Sequence, residues 1–211
     1  MNAQLIRTIL EILYFLCAPI IAIAAIYGLR QLKISKEVAM ISAKRESYKL
    51  AAEQCKYYAE TLIPILRMVK DKFEKEKILF VTESELIIDS KGFSCKIKSV
   101  SKEQIQRLNS IAVEVTDCQN KLEALSLFFI SGLADETIGY RSIGEDLCES
   151  AKPFIVATFL EHRGPDKSSP INALYILWCS RGKKQKLAEK KADIDAQLRS
   201  IENKTIRAIG T

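Results

Sequence analysis

The sequence predicts a mainly α-helical protein: an N-terminal transmembrane helix continuing into a long helix, then an antiparallel helical bundle with a small β-hairpin insertion. Three observations predict it. The eighteen residues from Ile12 to Leu29 carry no charge. An apolar rhythm of alternating four- and three-residue steps then runs to Phe73. Before residue 100 a strand–turn–strand pattern replaces the helical period. The expected segments are a membrane anchor (1–29), a long membrane-proximal helix (30–77), a β-hairpin (78–100) and a helical bundle with a charged C-terminal helix (101–211). With 211 residues in all, the part beyond the anchor is long enough to bury a core of its own.

The anchor reads ILYFLCAPIIAIAAIYGL. As a helix it spans about 27 Å, close to the hydrocarbon thickness of a bilayer. Tyr14 and Tyr27 stand near its two ends, where aromatic rings favour the interface. Pro19 is tolerated in a lipid-embedded helix, with a kink as its expected cost. Arg7 is the only basic side chain ahead of the run, whereas Arg30, Lys33, Lys36, Lys44, Arg45 and Lys49 follow it. The positive-inside bias therefore puts the C-terminal part in the cytoplasm. A cleaved signal peptide is the rival reading, since Ala22-Ile23-Ala24 resembles a cleavage site. Against it, the dense basic segment after the run resists translocation.

The long helix carries Ile34, Val38, Ile41, Arg45, Tyr48, Ala52, Cys55, Ala59, Leu62, Leu66, Val69 and Phe73 on one seam. A 3.5-residue repeat of this length is a coiled-coil signature or the inner seam of a bundle. The seam either packs on the protein's own helices or pairs with a second copy, and the first is favoured because an amphipathic face is usually core. Pro64 predicts a kink or boundary within it. Next, Ile78-Leu79-Phe80-Val81 and Leu86-Ile87-Ile88 are strand-like, and Asp89-Ser90-Lys91-Gly92 supplies the turn into Phe93–Ile97. Ser101-Lys102-Glu103-Gln104 is a capping box opening a helix whose apolar face runs from Ile105 to Phe129. Gly132 is expected to end that helix and Asp135 to cap the next. After the loop Gly164–Ser169, Ser169-Pro170 starts the last helix, apolar to Trp178 and charged beyond Arg181, with Gly182 a possible break. A thin stripe of Leu187, Ile194, Leu198 and Ile201 persists near its end.

The stretch Asn120–Phe129 with Ser131–Glu136, Ile143-Gly144, Leu147-Cys148, Leu174–Trp178 and Ile209-Gly210-Thr211 resembles a family of uncharacterised bacterial proteins with one N-terminal transmembrane helix and a helical cytoplasmic domain. The likeness spans roughly residues 30–211. It implies a single-pass protein of the bacterial inner (cytoplasmic) membrane and implies no activity.

Composition narrows the chemistry. Cys17, Cys55, Cys95, Cys118, Cys148 and Cys179 lie far apart with no C-x-x-C pair, which suits free thiols in a reducing compartment. Zinc-finger spacing is absent. The sole histidine, His162, sits between Glu161 and Arg163, where a helix-end dipole explains it as readily as catalysis does. Gly132, Gly139 and Gly144 fit neither phosphate-loop spacing, and there is no nucleophile elbow or H-E-x-x-H. No cofactor and no metal are expected, and no catalytic residue is assigned.

The richest polar cluster is Asp135, Glu136, Tyr140, Arg141, Glu145, Asp146 and Glu149. Of these, Asp135, Glu136, Tyr140, Arg141, Glu145 and Glu149 are the ligand-binding candidates. Glu145 and Glu149 share a helix face and could hold a cation, although capping and solvation also account for such groups. A di-iron bundle would want two Glu-x-x-His pairs. The net charge of +6 invites a nucleic-acid reading. In the last helix, however, Glu189, Asp193, Asp195 and Glu202 are interleaved with Arg181, Lys183, Lys184, Lys186, Lys190, Lys191, Arg199, Lys204 and Arg207. That pattern describes a solvated charged helix and argues against nucleic acid.

The expected partners are the lipid bilayer together with a second protein or a second copy. The expected function is a membrane-anchored, non-enzymatic interaction or scaffold protein. The alternative is an oligomerising membrane effector or sensor in bacterial defence or stress response.

Overall fold

The computed structural model describes residues 3–89, 92–162 and 169–202. Within these the protein is mainly helical, with one two-stranded antiparallel sheet. The chain divides into two compact units, Met1–Glu46 and Ser47–Thr211. The described residues of the first unit belong to α1 (Ala3–Tyr57), whose last residues open the second. Leu13, Phe15, Ile20 and Ile23 are all more than half exposed. The apolar window of this helix has a mean hydropathy of 2.5 and none of it is buried. It is long and apolar enough to cross a membrane.

The second unit folds around a core that begins at Ala51. A π-helical turn at Tyr58–Leu62 joins α1 to α2 (Ile63–Lys75). Pro64 is the reason for the boundary, because its ring would clash with the carbonyl of Glu60 and it lacks an N–H to bond there. From Leu62 through Leu66 and Val69 to Phe73 the expected seam is buried. Nearer the start of this unit the register differs from expectation: Ala51 and Tyr58 are buried, while Ala52 and Ala59 are exposed. Tyr58 wins the inward place because it buries a large ring and donates its hydroxyl hydrogen to Asp146 Oδ2 at 2.6 Å.

The end of α2 is a Schellman motif. Ile78 N donates to Phe73 O at 2.8 Å and Lys77 N to Glu74 O at 3.1 Å, with Lys77 in the left-handed region at φ 55°. Ile78 is thereby turned fully into the core. The strand expected at Ile78–Val81 is instead a short helix, α3 (Leu79–Glu83). Phe80 and Val81 are both buried, which a strand with period-two alternation could not achieve against one face.

β1 (Glu85–Asp89) and β2 (Gly92–Lys96) form the expected hairpin, paired from Glu85↔Lys96 to Asp89↔Gly92. Ser90 and Lys91 of the expected turn lie outside the described residues. Leu86, Ile88, Phe93 and Cys95 share the face turned to the core. Phe93 meets the Phe159 ring at 5.1 Å and the Tyr175 ring at 5.9 Å.

The single helix expected from residue 101 is two: α4 (Lys102–Ser110) and α5 (Ala112–Ile130). The break is at Ile111 (φ −115°, ψ 17°), which turns its own side chain and that of Val115 inward while Ile105 stays exposed. The capping box is present, with Gln104 N donating to Ser101 Oγ at 3.2 Å and Ser101 N to Gln104 Oε1 at 3.1 Å. Gly132, at φ +75°, follows the end of α5 as expected.

α6 (Glu136–His162) and α7 (Pro170–Glu202) complete the unit, and both pack against α5 and each other. Asp135 caps α6, accepting from Ile138 N at 2.9 Å. The side chain of His162, residues 163–168 of the expected loop and everything past residue 202 lie outside the described residues. α7 runs through Gly182 without a break, because its first three turns are held in the core by Ile171, Leu174, Tyr175 and Trp178.

Lys77 offers a direct test of the helix end. A left-handed conformation costs a residue with a Cβ about 1–2 kcal/mol, part of which glycine gives back in chain entropy. Lys77→Gly is expected to raise the stability of the folded unit by about 0.5–1 kcal/mol, read as a higher urea midpoint with unchanged m-value.

Candidate functional site

The candidate site lies where α6 and α7 face each other, with β1 beside them. Four-residue spacing sets Glu136, Tyr140, Gly144 and Cys148 along one side of α6, and Tyr175, Cys179 and Lys183 along α7. Between them sits Trp178, fully buried. A buried indole needs a partner for its N–H. Trp178 Nε1 donates to Glu136 Oε1 at 2.6 Å, and Arg181 donates to Glu136 Oε2 at 2.7 Å. The Arg181 guanidinium lies 4.8 Å from the centre of the Tyr140 ring. Tyr140 meets Trp178 edge-on at 6.0 Å, and Phe129 meets it from α5 at 5.4 Å.

Two glycines allow this ring packing. A Cβ on Gly139 would fall 2.3 Å from Cε1 of Phe129, and one on Gly144 would fall 2.5 Å from Cδ2 of Tyr140. Neither position can hold a larger residue without moving a ring. These glycines, which match no phosphate loop, serve as seats for aromatic side chains.

Above the rings is a cavity of about 360 Å³. Leu86 and Ile88 of β1, Tyr140, Tyr175 and Trp178 form its apolar wall, and the half-buried thiols of Cys148 and Cys179 line it from opposite helices. At the rim Lys186 donates to Glu145 at 2.8 Å across the two helices. The Lys186 hydrogen bond holds the Glu145 carboxyl below its ordinary range, and the same bond raises Lys186. Both groups are largely exposed, so the pair orients the rim more than it stabilises the fold. Glu149, Lys183 and Glu189 complete a rim of mixed charge. On the Arg141 side a more open concavity of about 620 Å³ shares Tyr140, Gly144, Glu145 and Glu149 with it.

The structure sorts the sequence candidates. Tyr140, Glu145 and Glu149 come together on the cavity. Asp135 is the cap of α6, and its own N–H donates to Ser47 O at 3.1 Å. Glu136 holds Trp178 and Arg181 from beneath the cavity. Arg141 faces the open concavity with Asp146, whose carboxylate also accepts from Tyr58. No group of three or more metal-ligating side chains occurs among the described residues. The membrane-anchor candidates Tyr14, Pro19 and Tyr27 and the basic Arg30, Lys33 and Lys36 are all exposed on α1.

Sequence reasoning passed over the α7 side of the site. Tyr175, Trp178 and Cys179 read as an ordinary apolar helix face. The signal that could have found them is the matched four-residue spacing Gly144–Cys148 and Tyr175–Cys179 on neighbouring helices. Glu123 was missed as well. From α5 it accepts from Ser169 Oγ and, at 3.2 Å, from Ile171 N, so it caps α7 from a neighbouring helix.

Glu136→Ala leaves the indole N–H buried without a partner. The expected loss is about 1–3 kcal/mol of stability, with a shifted emission maximum from Trp178, the sole tryptophan. Gly139→Ala is expected to cost about 1–3 kcal/mol by overpacking on Phe129. Gly182→Ala, whose Cβ would meet only Tyr140 Oη at 3.4 Å, serves as the tolerated control and changes stability by less than the other two. Compared with known proteins, the chain matches no protein-family model, no curated protein and no solved structure.

Proposed function

We propose that the protein is a single-pass membrane protein of the bacterial inner membrane whose cytoplasmic helical domain serves as a non-enzymatic interaction or scaffold module. The observation that carries this is the apolar window of α1, mean hydropathy 2.5 and wholly unburied, with Arg30, Lys33 and Lys36 after the apolar run. A bilayer covers such a helix all round, and the basic flank holds the following residues on the cytoplasmic side. Glu11, the acidic group nearest the run, accepts from Arg7 Nε at 3.1 Å, which lowers its cost at an interface. In the folded unit Asp135 and Glu136 are committed to a helix cap and to Trp178 and Arg181, and this favours a binding module over a catalytic one.

A second reading is an oligomerising membrane effector or sensor. Ile34, Val38 and Ile41 favour it, because these seam residues are 60%, 59% and 54% exposed and available to a second copy.

Full-length protein is expected to sediment with membranes and resist carbonate extraction. Protease added outside spheroplasts should leave the C-terminal domain intact and digest it only after lysis. Extraction by carbonate, or digestion from outside, would overturn the anchor or its orientation. Native mass spectrometry of gently extracted protein separates the two readings: a defined homo-oligomer favours the effector, and a monomer carrying another protein favours the scaffold.

A further inference from the structure

We infer that Cys148 and Cys179 are a reversible dithiol–disulfide pair, oxidised by hydroperoxides, that links α6 to α7 on the wall of the cavity. The inference concerns the folded unit alone and does not depend on the membrane anchor.

Placement carries it. Cys148 and Cys179 reach the same cavity from two helices that pack against each other, and both are half-buried rather than sealed. The two sulfurs are near enough for each to shift the proton affinity of the other. Cys95 lies on β2 and does not line the cavity. The other three are differently housed. Cys17 lies in the apolar run of α1, Cys55 is near Ser142, and Cys118 is fully buried.

The surroundings also divide the labour between the two sulfurs. The neighbouring Cys148 sulfur lowers the pKa of Cys179, and the Tyr175 hydroxyl and the charge of Lys183 act in the same direction against burial. The Cys179 sulfur and burial raise Cys148. Cys179 is therefore the more readily deprotonated of the two sulfurs, and Cys148 the one that keeps its proton more firmly. Burial instead pushes Cys118 up to about 11. A thiolate that is partly accessible beside a resolving thiol is the arrangement redox-sensitive cysteines use.

The chemistry balances with a hydroperoxide as oxidant. The Cys179 thiolate attacks the terminal peroxide oxygen, the O–O bond breaks, and the leaving oxygen takes a proton and departs as an alcohol, or as water from hydrogen peroxide. The sulfur is left as a sulfenic acid. The Cys148 sulfur, its proton given up, attacks Cys179 Sγ; the S–O bond breaks, water leaves and the S–S bond forms. Two thiols lose two electrons and two protons, and the peroxide gains them. A cellular dithiol reverses the step by exchange. In a reducing compartment the pair rests as thiols until an oxidant arrives. The disulfide, at about 2.05 Å between sulfurs, draws the two cavity walls together.

The test uses the full chain, treated with a small excess of hydrogen peroxide, blocked with an alkylating agent, digested and mapped by mass spectrometry. The expected product is a Cys148–Cys179 cross-linked peptide that a dithiol abolishes. Cys148→Ser should stop at a sulfenic acid on Cys179 that dimedone traps, Cys179→Ser should give no product, and Cys118→Ser should behave as the unaltered protein. In the reduced protein Cys179 should alkylate at least about tenfold faster than Cys118 at neutral pH. A cross-link to Cys95 or between chains overturns the assignment. So does a peroxide-treated wild-type protein with no cross-link, a result that does not depend on whether any variant folds.

Discussion

Trp178 must bury its whole indole and still keep its N–H bonded, and the arrangement of the second unit follows from how those two demands are met together. The acceptor has to come from another helix, at a point where a carboxylate can stay charged beneath a core. Glu136 meets this at the first turn of α6, where the unpaired backbone N–H groups favour negative charge. Its second oxygen takes Arg181 from α7, so one carboxylate is satisfied twice and fixes α6 against α7 at a single height. Removing it would strand both an indole N–H and a half-buried guanidinium, which makes the contact far more costly to lose than an exposed ion pair such as Glu145–Lys186.

The cavity is a consequence of that packing. Once Trp178 is held, Phe129 and Tyr140 crowd around it, and they fit only because Gly139 and Gly144 present no side chain toward them. Rings are stiff, so a cluster of three leaves a gap that aliphatic chains would have filled. Leu86 and Ile88 of the hairpin close the gap on one side, and the small thiols of Cys148 and Cys179 leave it open on the other. Thiols rather than methyl groups at that place give the wall a chemistry that the packing alone does not require.

Much of this was legible in the sequence where a local rule decides the outcome. The capping box at Ser101, the cap at Asp135, the glycine after α5 and the boundary at Pro64 each follow from residues within a turn of one another. Legibility failed where a distant residue decides. Lys77 ends α2 in a conformation usually given to glycine because Ile78 is drawn into the core. Ile111 breaks what would otherwise continue as one helix for the same reason. Of the polar cluster, the type and position of each residue were visible, but not that Glu136 serves Trp178 while Glu145 and Glu149 stand at a rim. That division depends on α7, whose four-residue rhythm of Tyr175, Cys179 and Lys183 resembles that of any helix packed on a core.

The periodicity of α1 separates two kinds of surrounding. Burying a large apolar side chain is worth about 1.5–3 kcal/mol, and a domain is stable by only about 5–15 kcal/mol in total. Covering a helix on which Leu13, Phe15, Ile20 and Ile23 are all exposed is therefore worth a sizeable share of such a total. From Ile12 to Leu29 the apolar residues lie all round the helix, so one neighbouring helix could shield only part of them, whereas lipid covers every side. Past Arg30 the pattern changes. Ile34, Val38 and Ile41 share one face, with Lys33, Lys36 and Lys44 beside it and Arg45 next along it, and a stripe of this kind suits one partner helix and not a bilayer. The anchoring proposal and the self-association proposal accordingly rest on different residues of one helix, and charge placed in the first stretch should disturb membrane insertion without acting on the second.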